Sequence, residues 1–317
     1  MTQSQQDQRR RESPAGYHFY YSYWENPRNF YLKYVLGLKP RFTPPPLLKG
    51  GCIHEAMECY YKENYNIDGA IKTYNDEMEA RRREYEDGEK FEDDLKGGML
   101  MLSQWHQDWY ESDKETLEVV EVEKPYEFWI GPEKKLKFTV RPDRVMKNLS
   151  TGKYYVHDTK TTGWSISKAI AQADSEDQLT AYLWAIDKEH PEWKVDSGII
   201  DVMYKRKSKV ETHRSDPIYR TNLDKIIFEM NIVGTIIEVT QKVKAVKSGV
   251  PWPLLFPRNG RIAGLFGDPY EALSRIDVKP GQVPVGFEKD DWSEELERLL
   301  DIVDVAEWAE YAGIKEV

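Results

Sequence analysis

Cysteine is almost missing from this chain: two residues, Cys52 and Cys59, in 317. Both fall in one expected helix, so no disulfide framework is available, which fits a cytoplasmic protein. No run of eighteen apolar residues occurs either, and no segment is expected to span a membrane. The opening stretch, from Met1 to Glu12, lacks the apolar core of a secretory signal, and residues 1–16 are expected to be a disordered polar tail. Positive charge is not in excess. Against 55 acidic residues stand 45 basic ones, a net charge of −10, which argues against a protein that coats nucleic acid non-specifically. Basic clusters at Arg81–Arg83, Lys205–Lys209 and Lys242–Lys247 read more readily as solvated faces than as phosphate tracks.

What is present begins with aromatics, dense between Tyr17 and Tyr34. A helix is expected from Asn26 to Gly37, with Pro27 in its first turn and Gly37 ending it. Thr43-Pro44-Pro45-Pro46 reads as a stiff connector. After Gly50-Gly51 a helix follows with Ile53, Met57, Tyr60 and Tyr61 at core spacing. Residues 68–117 read as charged and helical, with Met99, Leu102, Trp105 and Trp109 on one stripe. Strands are expected from Glu118 to Lys160, a helix over Ser175–Glu189, a strand at Ile199–Tyr204 with Val210–Arg214 pairing back on it, and a long helix at Leu223–Lys247. Residues 251–285 read as irregular, and an acidic helix as running from Trp292 to Tyr311.

Two short stretches carry the chemistry. Lys153–Lys160 is a strand entered from an Asn-Leu-Ser-Thr-Gly turn, and Lys137–Met146 is a second candidate strand. Side chains alternate along a strand, so Asp158 and Lys160 share one face while His157 and Thr159 share the other. A hairpin through Asn148–Gly152 would set Asp143 beside Asp158. Two carboxylates meeting there suit a hard cation such as Mg²⁺, and a lysine two residues away suits a negatively charged transition state. A D-x-K triplet alone is common, and its bland meaning is a solvated cross-strand ion pair.

Two further pairs add to it. His54 and Glu58 lie four apart on one helical face, where His54 would add an imidazole ligand and favour Mn²⁺; the alternative is an ordinary surface pair. His54-Glu55-Ala56-Met57-Glu58 resembles a zinc-hydrolase HExxH motif but lacks its second histidine, so a zincin is not expected. Gln178 and Tyr182 are also four apart. Their alternative is structural: Ser175-Glu176-Asp177-Gln178 fits a capping box, with Tyr182 packed beside Leu179, Leu183 and Ile186.

The ordered set Gly50, His54 and Glu58, then Pro142-Asp143, then Asp158-x-Lys160, then Gln178 and Tyr182, resembles the PD-(D/E)XK nucleases over residues 20–270. The branch it is similar to comprises the RecB-type and CRISPR-associated adaptation exonucleases. That resemblance implies an α/β, restriction-endonuclease-like core, a central mixed β-sheet flanked by helices, with a helical N-terminal and insert region. It implies a nuclease domain over residues 17–288 with a helical insert at about 65–117, followed by a C-terminal acidic helix at 289–317. It also implies that His54, Asp143, Asp158 and the Thr159 carbonyl hold Mg²⁺ or Mn²⁺, that Lys160 is the catalytic lysine, and that Gln178 and Tyr182 assist.

The expected activity is metal-dependent DNA hydrolysis, as an exonuclease, in recombination, repair, or phage- or CRISPR-related processing. DNA is the expected partner, with a helicase or recombinase alongside. The rivals are a catalytically silent DNA-binding or recruitment subunit of the same fold, and a ribonuclease. One departure stands out. Many members of this branch carry four iron–sulfur cysteines, whereas Asn26 precedes Pro27-Arg28 here and Asp268 precedes Pro269-Tyr270. No iron–sulfur cluster is expected, because two cysteines on one helix cannot supply its ligands. Aromatic packing by residues 17–34 is expected to pin the terminal segments instead.

Overall fold

The computed structural model describes residues 16–206, 209–258, 270, 273, 276 and 278–313. The expected polar tail up to residue 15, the Asp268-Pro269 pair, and Lys207 and Ser208 lie outside the described residues. The chain folds into two compact units. One comprises Thr43–Tyr126 and Arg141–Lys225; the other comprises Met1–Phe42, Glu127–Val140 and Ile226–Val317.

The first unit holds every motif residue. Three helices open it: α1 (Pro45–Lys62), α2 (Ile67–Ala80) and α3 (Gly88–Thr116). Strands β1 (Leu117–Val122), β2 (Arg144–Asn148) and β3 (Tyr154–Thr162) follow, then α4 (Ile166–Ser175) and α5 (Gln178–Glu189), then β4 (Ser197–Arg206), β5 (Lys209–Arg214) and β6 (Ile218–Tyr219). The sheet runs β1-β2-β3-β4-β5, with β6 also pairing with β4. It is mixed: β3 and β4 are parallel, and the other neighbours are antiparallel. Parallel neighbours need a crossover, and α4 and α5 provide it.

Several expectations shift by a physical cause. The Pro44–Pro46 connector enters α1, because proline lacks the N–H that the first helical turn leaves unused. Lys137–Met146 is two strands, Leu136–Val140 and β2, broken where Arg141-Pro142-Asp143 cannot continue a hydrogen-bonded ladder. The helix expected over Ser175–Glu189 is α5, with α4 ending at Ser175 before it. The C-terminal helix is two, Trp292–Asp301 and Val305–Tyr311.

Helices α1–α3 cover one sheet face through a core that includes Ile53, Met57, Tyr60, Tyr61, Leu102 and Trp105 against Met146 and Met203. On the other face Ile166, Ala169, Ile170 and Ala173 of α4 pack on Ile200 and Val202. Under the first face lies a buried polar network. The Asp201 carboxylate accepts from Arg144, from Arg214 Nε at 2.8 Å, and lies 2.9 Å from His157 Nδ1. Arg144 also donates to Thr159 Oγ1 at 2.7 Å, and Arg214 reaches Asp113 on α3 at 2.5 and 3.1 Å. The Arg144 guanidinium lies 4.4 Å from the Tyr61 ring centre, and Arg214 4.4 Å from that of Trp109. Burial raises the Asp201 carboxyl, but Arg214, Arg144 and His157 together hold it below the ordinary carboxylate range. Three donors on one buried carboxylate thus tie β2, β3, β4 and β5 together.

The second unit is built on aromatic contacts. Tyr31 stacks on Trp252 with ring centres 4.6 Å apart and planes at 6°, and Tyr34 lies 5.4 Å from Trp292. Leu38–Pro40 pairs antiparallel with Phe287–Lys289, and the Tyr270 hydroxyl donates to the Leu38 carbonyl at 2.8 Å. The helix at Pro27–Phe30 continues as a wider turn over Tyr31–Val35, and Gly37, at φ 62°, closes it where other residues are disfavoured. A long helix, Asn222–Lys247, begins at the end of the first unit and continues into this one. Among the described residues no helix is long and apolar enough to cross a membrane.

Removing one partner from a buried ionic cluster strands the others. Asp201→Ala is expected to lower the unfolding free energy by about 3–5 kcal/mol, read by urea denaturation. A change within about 0.5 kcal/mol would show that the network adds nothing to stability.

Candidate metal centre

The β2–β3 hairpin sets the geometry. Its turn is capped by Asn148, whose Oδ1 accepts from the N–H of Ser150 at 3.1 Å and of Thr151 at 2.9 Å, while Gly152 takes φ 71°. The resulting register places Arg144 opposite His157, so Asp143, one residue before β2, comes across from Asp158. The Thr159 N–H donates to Asp143 Oδ2 at 2.8 Å rather than to a strand neighbour. Along an extended strand the N–H and C=O of one residue point the same way, so the Thr159 carbonyl faces the Asp143 side.

Helix α1 delivers His54, whose Nδ1 is 3.1 Å from Asp143 Oδ2. One turn earlier is Gly50, where an added Cβ would lie 3.2 Å from Thr161 Oγ1. A side chain there would crowd the Thr161 hydroxyl by a few tenths of an ångström, so glycine suits the close approach of α1 to β3. Glu58 pairs with Lys62 at 2.5 Å and also lines the cavity that His54 and Asp143 share.

Glu123 is the residue that sequence reasoning missed. Its carboxylate, His54 and Asp143 place ligand-type atoms within 4.8 Å of one another. Its N–H donates to the Asp143 carbonyl at 2.8 Å, and its side chain lies 2.9 Å from Arg141 Nε. It follows a strand with a register shift between Val119 and Glu121 and has φ 51°, a left-handed conformation rare outside glycine and asparagine. Alternation in Glu121-Val122-Glu123 was the available signal, but nothing in the sequence shows that the chain bends back at 123 toward Asp143.

Asp158 is not part of that trio. Its Oδ2 pairs with Lys160 Nζ at 2.8 Å, whereas its Oδ1 is buried and has no hydrogen-bond partner among the described residues. Lys160 also donates to Gln178 Oε1 at 2.6 Å, and Gln178 Nε2 donates to the Tyr182 hydroxyl at 2.7 Å. The structure thus overturns the capping box: Asp177 precedes α5 without a side-chain cap, and the Ser175 hydroxyl donates to the Gln172 carbonyl. Gln178 and Tyr182 instead form a relay behind the lysine.

The two aspartates are electrostatically unlike. Burial raises Asp143, but His54 and the Thr159 N–H outweigh it and hold the carboxyl below its ordinary range. Asp158 is raised, by burial first and by Asp143, against the pull of Lys160. Burial lowers Lys160, yet Asp158 more than compensates, and the ammonium is raised.

The donors fit a hard divalent cation. Carboxylate oxygens and one imidazole surround a cavity of about 10 Å³, roughly the space of one water-sized sphere. The unsatisfied Asp158 Oδ1 is a buried acceptor of the kind a cation would engage.

Residues 20–250 match the family described as the PD-(D/E)XK nuclease superfamily. The chain belongs to that superfamily. The mixed sheet flanked by helices is therefore its restriction-endonuclease-like fold, and a PD-(D/E)XK nuclease uses divalent metal, which the acidic cluster at His54, Glu123 and Asp143 suits. No curated protein matches the chain. Among solved structures it is similar to the crystal structure of SSO0001, at 17% identity over 67% of this chain and 82% of that one, with a TM-score of 0.29. A correspondence that loose carries no argument about the site.

Glu123→Gln keeps the size of the side chain and removes its charge. It is expected to weaken Mn²⁺ binding about 10- to 100-fold by isothermal titration calorimetry. An unchanged affinity would exclude Glu123 from the metal's surroundings.

Proposed function

We propose that this chain is a divalent-metal-dependent deoxyribonuclease of the RecB-type and CRISPR-associated adaptation exonuclease branch, acting as an exonuclease on phosphodiester bonds. It would serve DNA recombination, repair, or phage- or CRISPR-related DNA processing in the cytoplasm. The observation that carries the reading is the convergence of His54 and the Thr159 N–H on Asp143, with the two neighbours of Thr159, Asp158 and Lys160, paired to one another.

His54, Glu123, Asp143, Asp158 and the Thr159 carbonyl would hold Mg²⁺ or Mn²⁺. Such a cation polarises a phosphoryl oxygen and favours deprotonation of the attacking water. The protein's own groups do the positioning. Asp143 is fixed by the Thr159 N–H and by His54, so its carboxylate does not have to reorganise as substrate arrives. Lys160 shares the sheet face of Asp158 and presents its ammonium to developing charge on the phosphate. Gln178 accepts from that ammonium and is itself oriented by Tyr182, which holds the lysine at one point rather than letting a flexible stem sweep.

The departure from the branch's iron–sulfur cysteines, with Asn26 and Asp268 where cysteines are expected, supports a reading without a cluster. In the second unit aromatic stacking and the strand pair at Leu38–Pro40 do the joining of early and late chain.

The test is degradation of end-labelled DNA in Mn²⁺ by wild type and Lys160→Ala. The variant is expected to lose activity by at least about 100-fold, the effect of removing one charge-stabilising donor. Equal activity in both, or none in either, would end the catalytic reading.

A further inference from the structure

We propose that the cleft beside Trp164 binds an unstacked nucleobase of single-stranded DNA threaded to the metal centre. This deepens the nuclease reading and rests on it.

The cleft, of about 510 Å³, is lined by Trp164, Ile166, Ile170, Tyr204, Glu211 and His213. Its place follows from strand β3. Trp164 lies four residues beyond Lys160, at most about 13 Å along an extended chain at roughly 3.3 Å per residue. Register puts it on the right side of the sheet as well. Lys160 pairs with Val202 and Thr162 with Tyr204, while Val202 pairs with His213 and Tyr204 with Glu211. Directly paired residues share a face, so Tyr204, Glu211 and His213 belong to the face that carries Asp158 and Lys160.

The chemistry is that of a base platform. Trp164 is 51% exposed and lines the cleft together with two other rings. Its N–H backbone group donates to Thr162 Oγ1 at 3.1 Å, which fixes where the ring emerges. Tyr204 and His213 add flat polar rings, and Ile166 and Ile170 an apolar wall. Every nucleobase has a π-face, so stacking on such a surface tolerates any sequence. In a duplex those faces are already covered by neighbouring bases, and only a single strand or an opened end can present one.

Charge agrees with a polynucleotide. Lys168 follows the lining residue Ser167, and Arg206 and Lys209 lie two residues from Tyr204 and Glu211, whereas Glu211 is the acidic side chain of the lining and is paired with Lys209 at 2.6 Å. Of the basic stretch from Lys205 to Lys209, Arg206 and Lys209 flank the cleft, whereas Lys205 pairs with Asp93 on α3 at 2.9 Å.

The experiment measures binding of dye-labelled oligothymidylate and of a blunt hairpin duplex by fluorescence anisotropy, in EDTA, to full-length wild type, Trp164→Ala and Trp164→Phe. Trp164→Ala is expected to bind the single strand roughly 5- to 100-fold more weakly, the effect of losing one base–aromatic stack, with Trp164→Phe recovering most of it and duplex binding unchanged. Wild-type affinity in Trp164→Ala, or an equal loss on duplex, would overturn the proposal. Cleavage of the same strand by wild type in Mn²⁺ separates the two readings. If wild type cleaves while Trp164→Ala binds normally, the base cleft falls and the nuclease stands. If Trp164→Ala loses binding while wild type cuts nothing, the cleft stands as a binding site and the nuclease falls.

Discussion

The whole centre hangs on one strand register. A hairpin slipped by a single residue would bring Asp143 opposite His157 and turn the buried set of β3 toward the wrong face. Two devices prevent that slip. Asn148 and Gly152 fix the turn at one end of the hairpin. At the other, Arg144 is locked to Thr159 and Asp201 beneath the sheet, so the residue adjacent to Asp143 cannot move without breaking a buried ion pair. The polar network on one face thereby holds the position of the carboxylates that face the cavity. The His157 and Thr159 side chains, tied into that network, are the means by which Asp158 and Lys160 are aimed.

This division of labour explains what was legible in the residues and what was not. The alternation that put Asp158 and Lys160 on one face, and the turn that brought Asp143 to them, are local properties of a short stretch, and local patterns survive into the fold. The spacing of His54 from Gly50 was equally readable, since it is one turn of a helix. The approach of Gly50 to Thr161 was not, because it depends on two elements more than one hundred residues apart. Glu123 was hidden for a related reason. Its usefulness comes from a left-handed backbone after an irregular strand, and propensity rules for a glutamate give no hint of such a conformation. Gln178 was ambiguous by composition: the same four residues spell a capping box, and only the nearness of Lys160 decides which partner the amide takes.

Domain organisation was the least visible level. Composition shifts mark boundaries when each compact unit is a continuous piece of chain. Here one unit draws on three separated segments, and the short segment Glu127–Val140 reads like any other part of the strand-rich region between Glu118 and Lys160. Proline at position 142 interrupts that region where the chain passes from one unit to the other, a signal that reads from sequence as a kink rather than a border.

That discontinuity has a consequence for how the protein is made. Leu38–Pro40 finds its strand partner only at Phe287–Lys289. At a ribosomal pace of about 5–20 residues per second, the early strand and the aromatic segment before it wait on the order of 10 to 50 seconds for that partner to emerge. Tyr31 and Tyr34 meet Trp252 and Trp292 on a similar delay. During synthesis the aromatic stretch can pack on itself, as Phe19 does on Phe30 and Tyr34, but its late-made partners reach it only when most of the chain has emerged.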